Sequence, residues 1–196
     1  MVAITFKDNR LRWVRIGVTL LLLSFFLPLK ASYILIPMDL KQVNHLKAYG
    51  ITYWVINQNI EAYWLLNYRG GSFAFVHTKT FEKECITRGV SYEVIPDAEY
   101  IRIREEINNP EVNQEVMKLE KAPRIAVYTP EFNEKGERIQ PWDDAVTLAL
   151  TYAEIPFDKI YDKEIVNGLL AKYDWSHLHH EDFTGQYGKL YANFNA

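Results

Sequence analysis

Three of the five histidines fall within four positions, in Trp175-Ser-His-Leu-His-His-Glu-Asp-Phe183, and two acids follow directly. Imidazole beside carboxylate suits a divalent metal or general acid–base work. His179, His180 and Glu181 are therefore the candidate catalytic set. His179, His180 and Asp182 are the candidate metal ligands, and the cofactor is otherwise open. On a strand, His177 and His179 share one face while Leu178 points to the other. A second polar group, Trp142, Asp143 and Asp144, follows the loop after an earlier strand and joins Asp182 and Gln186 as candidate ligand-binding residues. Competing uses exist for both groups. The histidine spacing fits no defined metal motif, so a polar strand end bonded to the loop at 184–188 is the alternative there. Asp143 equally suits the first turn of a helix, where the dipole favours an acid.

Other chemistry-bearing residues point to structure. Cys85 sits in Phe-Glu-Lys-Glu-Cys-Ile without the small neighbours of a nucleophile elbow, and reads as a buried thiol. Tyr68-Arg-Gly-Gly-Ser72 lacks the P-loop lysine and the dinucleotide spacing, and reads as a turn. Lys41, His45 and Lys47 read as a solvated helix face. Tyr53, Trp54, Tyr63 and Trp64 alternate as core residues of a hairpin rather than as a stacking platform.

The elements that would position these groups fall into two sets. Residues 33–38 form a short buried strand. Asp39 is placed to cap a helix over 40–49, which Gly50 ends. The β-branched and aromatic runs 51–56 and 62–68 flank Asn57-Gln-Asn-Ile60 and predict a hairpin. A strand over 72–77, a helix over 80–88 capped by Gly89, a strand over 90–95 and a helix over 98–107 follow. Residues 111–123 are polar and acid-rich, and read as a linker or connecting helix. The pattern then restarts: strand 124–129, helix 142–153, strand 157–161, helix 163–172, strand 175–179. That alternation predicts a parallel sheet, which binds ligands beyond its carboxyl ends. The fold class is α/β: a mixed α/β domain with a hairpin over 33–110, then a partial three-layer, flavodoxin-like βαβαβ unit over 124–196.

Composition constrains the rest. At 196 residues, 48% apolar and 24% charged, the chain is an ordinary globular sequence. One cysteine excludes a disulfide framework and a multi-cysteine zinc site. Lys7, Arg10, Arg12 and Arg15 precede the apolar run 16–29, which Lys30-Ala-Ser32 follows. A basic start, a short apolar stretch and small residues behind it describe a secretory signal over 1–32. Fourteen residues are short for a spanning helix, which needs about 20. Removing the five bases and one acid of that segment from the 22 and 25 of the whole chain leaves 17 and 24, a net of −7. An acidic, exported, periplasmic or cell-envelope protein is expected. Its partners would be a small molecule or envelope ligand, not nucleic acid, with membrane contact only through the signal.

Several long stretches are familiar. Ile-Leu-Ile-Pro-Met-Asp39, His-Leu-Lys-Ala-Tyr-Gly50 and Trp-Leu-Leu-Asn-Tyr-Arg-Gly-Gly-Ser-Phe73 form one group. Pro-Trp-Asp-Asp-Ala-Val-Thr-Leu-Ala-Leu-Thr-Tyr-Ala-Glu154 and His-Leu-His-His-Glu-Asp-Phe-Thr-Gly-Gln-Tyr-Gly188 form another. Together they resemble a group of exported bacterial proteins carried under the name asparagine synthetase B. The resemblance implies that residues 124–196 begin a class I glutamine-amidotransferase-like domain, whose nucleophilic cysteine lies later on an elbow. The chain would then be an N-terminal fragment, inactive alone, of an amidotransferase-like or hydrolase-like protein. Val2 stands where an authentic asparagine synthetase has its nucleophilic cysteine, and Gly70-Gly71-Ser72 lacks the Asp-Ser of its pyrophosphate loop, so ATP-dependent synthesis is not expected. The competing class is a non-catalytic envelope binding module that uses the aromatic residues of 51–68.

Overall fold

The computed structural model describes residues 32–178, apart from 112, 130–131, 134 and 139–144. Five antiparallel strands come first: β1 (Ser32–Ile36), β2 (Ala62–Leu66), β3 (Ser72–Val76), β4 (Glu93–Pro96) and β5 (Glu115–Leu119), in the order β4-β1-β3-β2-β5. Helices α1 (His45–Ile56) and α2 (Lys79–Arg88) cover one face, and α3 (Asp97–Ile107) covers the other. Both faces are thus buried, so β1 and β3 read as unbroken apolar runs rather than alternating ones. Ile34, Ile36, Phe73 and Phe75 face α1 and α2, whereas Leu35, Leu65 and Ala74 face α3. Cys85 is fully buried among the first group, and that burial pushes its thiol up to about 12, a structural role as expected.

The second sheet is parallel: β6 (Ile125–Tyr128), β7 (Asp158–Ile160) and β8 (Trp175–Leu178), in the order β7-β6-β8. Helix α4 (Ala145–Ala153) lies in the first crossover, and α5 (Asp162–Val166) with a 3-10 turn (Leu169–Lys172) in the second. The α/β class and the parallel sheet are as the sequence predicts. Among the described residues no helix is long and apolar enough to cross a membrane.

The predicted hairpin is replaced by a helix. Residues 51–56 continue α1 straight through Gly50, and Asn44, not Asp39, caps its start by accepting from the Lys47 amide at 3.1 Å. Four of those six residues are β-branched, which costs a helix up to about 0.7 kcal/mol each. Burying Ile51, Val55 and Ile56 returns roughly 1.5–3 kcal/mol each, so packing wins. Gly50 does not end the helix because it is a contact point. A Cβ there would overlap the carbonyl oxygen of Ala153 on α4. Around that contact Asn44 Nδ2 donates to Tyr152 Oη at 2.8 Å, while Lys47 and Arg88 both pair with Glu154. Lys47 is therefore an interface residue, its side chain only 16% exposed, and not part of a solvated face.

Two further expectations change. Asp39 instead binds Arg69, whose Nε donates to it at 2.9 Å while its Nη atoms donate to both oxygens of Glu93 at 2.9 and 3.0 Å. This fork holds Arg69 in the left-handed region, at φ 45°. Residues 115–119, expected within a linker or connecting helix, form edge strand β5 on β2. Val116 packs toward α3, Leu119 toward α1, and Lys118 at the edge pairs with Glu61 and Glu120 at 2.7 Å.

Gly50→Ala is expected to destabilise the protein by about 2 kcal/mol, the overpacking cost exceeding a helix-propensity gain of about 1 kcal/mol. Thermal unfolding should show a Tm lowered by roughly 4–8 °C. An unchanged or raised Tm contradicts the close contact.

Candidate functional site

In the parallel sheet Tyr128 is the last residue of β6, and it pairs with Ile160 on one side and Leu178 on the other. The sheet order reverses here, because the chain runs from β6 out to β7 and back past β6 to β8. Such a reversal leaves two adjacent strand ends whose loops diverge, and a crevice opens between them. Thr129 adds one more ladder bond, its amide donating to Ile160 O at 3.0 Å, before the chain leaves the sheet.

The described part of this rim is polar and aromatic. Tyr128 Oη donates to Asp162 Oδ1 at 2.6 Å, and its ring lies 5.2 Å from that of Tyr161. Asp162 opens α5, where a carboxylate is favoured by the helix dipole. Neither Tyr128 nor Asp162 was selected from the sequence. The signal present was positional: both stand at strand ends in the second half. His177 lies on β8 opposite Val127, half-buried, its ring 6.4 Å from that of Trp175, as strand alternation predicts.

The residues singled out from the sequence as site candidates are not among those described. Trp142, Asp143 and Asp144 precede α4, and His179, His180, Glu181, Asp182 and Gln186 follow Leu178. All eight lie outside the described residues. Among the described residues no three His, Cys, Asp or Glu side chains gather as a metal site.

A second polar cluster was missed, because its members are 45 residues apart. Ser32 Oγ lies 3.1 Å from His77 Nδ1, and His77 Nε2 lies 3.0 Å from Glu82 Oε2. A carboxylate only accepts, so Nε2 donates to Glu82, and Nδ1 faces the Ser32 hydroxyl, which can donate or accept. The order is that of a nucleophile, a base and an orienting acid. Acyl transfer also needs donors aimed at a developing oxyanion. The nearby amides of His77, Phe81 and Glu82 are spent on Ser32 O and on the Thr78 cap. The cluster therefore reads as a tie between β1 and α2. Hydrogen bonds from His77 and then Lys79 hold the Glu82 carboxyl at about 2, well below its ordinary value.

The aromatic residues pack on the core as expected for Trp54 and Trp64, but not as a hairpin. Tyr53 and Trp54 lie on α1, Trp54 stands edge-on to Phe81 at 5.7 Å, and Trp64 stacks on Phe73 at 6.1 Å while its Nε1 donates to Gly71 O.

No protein family, curated protein or solved structure matches this chain.

The depressed Glu82 carboxyl stabilises the fold above about pH 4.5, and that contribution disappears as pH falls toward 2. Glu82→Gln should therefore be less stable than wild type at pH 7 and equal to it near pH 2, by urea unfolding. An equal deficit at both pH values contradicts the tie.

Proposed function

We propose that the chain is an exported protein of the group carried under the name asparagine synthetase B, and that its parallel unit begins an amidotransferase-like or hydrolase-like domain of flavodoxin type. The observation that carries this reading is the β7-β6-β8 order, which sets the carboxyl ends of β6 and β8 side by side. Leu178 ends β8, so the His-His-Glu-Asp run starts at the very next residue. A parallel sheet places ligands beside such a reversal, and that run offers base, acid and ion-ligand chemistry there.

In this reading His179 or His180 acts as the base or holds a divalent ion, and Glu181 and Asp182 orient it or share the ion. Trp142, Asp143, Asp144 and Gln186 complete the ligand contacts. The substrate is a small polar molecule rather than ATP. Supporting the latter, Gly70-Gly71-Ser72 is committed to the fold. Both glycines have positive φ, a Cβ on Gly70 would press on the Met38 carbonyl, and Ser72 Oγ donates to Tyr68 O at 3.0 Å.

Zinc or manganese should raise the Tm of the wild type and leave the His179→Ala/His180→Ala variant unmoved. No shift with either ion, together with unchanged stability in that variant, removes the metal role. Expressed with its own N-terminus in a Gram-negative host, the chain should be recovered from the periplasm without residues 1–32, as read by mass spectrometry. Recovery of the intact 196-residue chain from the cytoplasm contradicts export.

A further inference from the structure

At the opposite end of the parallel sheet, where β6 and β7 begin, α1 and the sheet enclose a cleft of about 440 Å³. That volume falls within the range of small-ligand sites. Tyr53 of α1 and Phe157, just before β7, form its apolar walls; both rings pack against the Ile125 core. Tyr53 is fixed by its hydroxyl, which donates to Pro123 O at 2.9 Å.

The polar lining carries both signs of charge. Its one carboxylate, Asp158, already accepts from Tyr173 Oη at 2.9 Å. Arg124 donates from its backbone amide and Nε to Asp174, at 2.9 and 3.2 Å, and among the described residues its two Nη groups have no partner. Lys172, also lining the cleft, makes no hydrogen bond or ion pair among the described residues. Asn57 adds a side-chain amide at the end of α1. Lys172, unpaired among the described residues, and the Nη edge of Arg124, whose Nε is paired with Asp174, thus line the cleft beside its aromatic walls, in a chain whose residues after 32 carry 24 acids against 17 bases.

We propose that this cleft binds a small organic carboxylate, with the anion between Arg124 and Lys172 and an apolar body between Tyr53 and Phe157. Inorganic phosphate would satisfy the cations but leave the aromatic walls wet. A neutral amide of the same shape would fill the walls and leave the cations unpaired. The cleft borrows one wall from α1 and the other from the parallel sheet, so an occupant also reinforces their docking. It is separate from the carboxyl-end crevice and does not depend on the histidine run.

Two-dimensional amide NMR of the full chain, titrated with benzoate, benzamide and inorganic phosphate, tests this. Benzoate is expected to shift the amides of Tyr53, Asn57, Ile125 and Phe157 with a Kd of about 1 mM or tighter. Benzamide and phosphate should each bind at least about tenfold more weakly. Lys172→Gln, an exposed position, should weaken benzoate by about tenfold without changing Tm, and Arg124→Gln should weaken it by a similar factor. The proposal is overturned if benzamide or phosphate matches benzoate, if Lys172→Gln binds like wild type, or if about 10 mM benzoate moves none of these amides.

Discussion

Helix α1 touches α4 at backbone distance, and most of the architecture follows from that contact. Gly50 gives up its side chain so that the Ala153 carbonyl can sit where a Cβ would be. One helix then serves two sheets. Ile51, Val55 and Ile56 fill the antiparallel core, while Tyr53 reaches the parallel core and bonds to Pro123 just before β6. A ring of polar contacts surrounds the contact. Lys47 and Arg88 converge on Glu154, which is held in the left-handed region at φ 60°, and Asn44 reaches Tyr152. Lys47 and Arg88 are largely buried and Glu154 half-exposed, so much of each pairing offsets the cost of desolvating the cation. Their geometric effect is larger, since they fix the turn from which the chain proceeds to β7 and so the position of the parallel sheet.

The antiparallel sheet depends on a different constraint. With both faces covered, the loops joining its strands need tight local restraint, and the Arg69 fork provides it. A guanidinium holding Asp39 and Glu93 ties the loop after β1, the turn before β3 and strand β4 together. Those carboxylates in turn favour the charged form of Arg69, and its hydrogen bond keeps Asp39 below the ordinary carboxylate range. The left-handed backbone at Arg69 is the local strain that this pairing offsets.

Legibility in the sequence followed the range of the interactions. Local signals were read correctly: Gly89 at the left-handed end of α2, the stop of α3 before Pro110, and the strand–helix alternation after residue 124. Interactions between distant residues were not. The 51–56 run is β-branched and aromatic, and only its burial against β1, β3 and α2 makes it helical. Gly50 looks like a stop signal because its neighbour, Ala153, is over a hundred residues away. Strand β5 is half-exposed and charged, so it resembles a linker until β2 is placed beside it. At the candidate site, the alternation rule pointed to the carboxyl end of the parallel sheet, and the residues it selected lie outside the described ones. Tyr128 and Asp162 escaped it because neither residue type is distinctive alone. The Ser32–His77–Glu82 cluster escaped because its partners join across 45 positions.

Continuity of α1 across Gly50 decides whether one helix can position both the parallel sheet and the cleft beside it. An isotope-edited NOE spectrum of the whole chain measures this directly. Helical chemical shifts from His45 through Ile56, with cross-peaks between the Gly50 α-protons and the backbone of Ala153 and Glu154, are the expected result. Strand-like shifts over 51–56, or no contact between Gly50 and α4, would contradict the account.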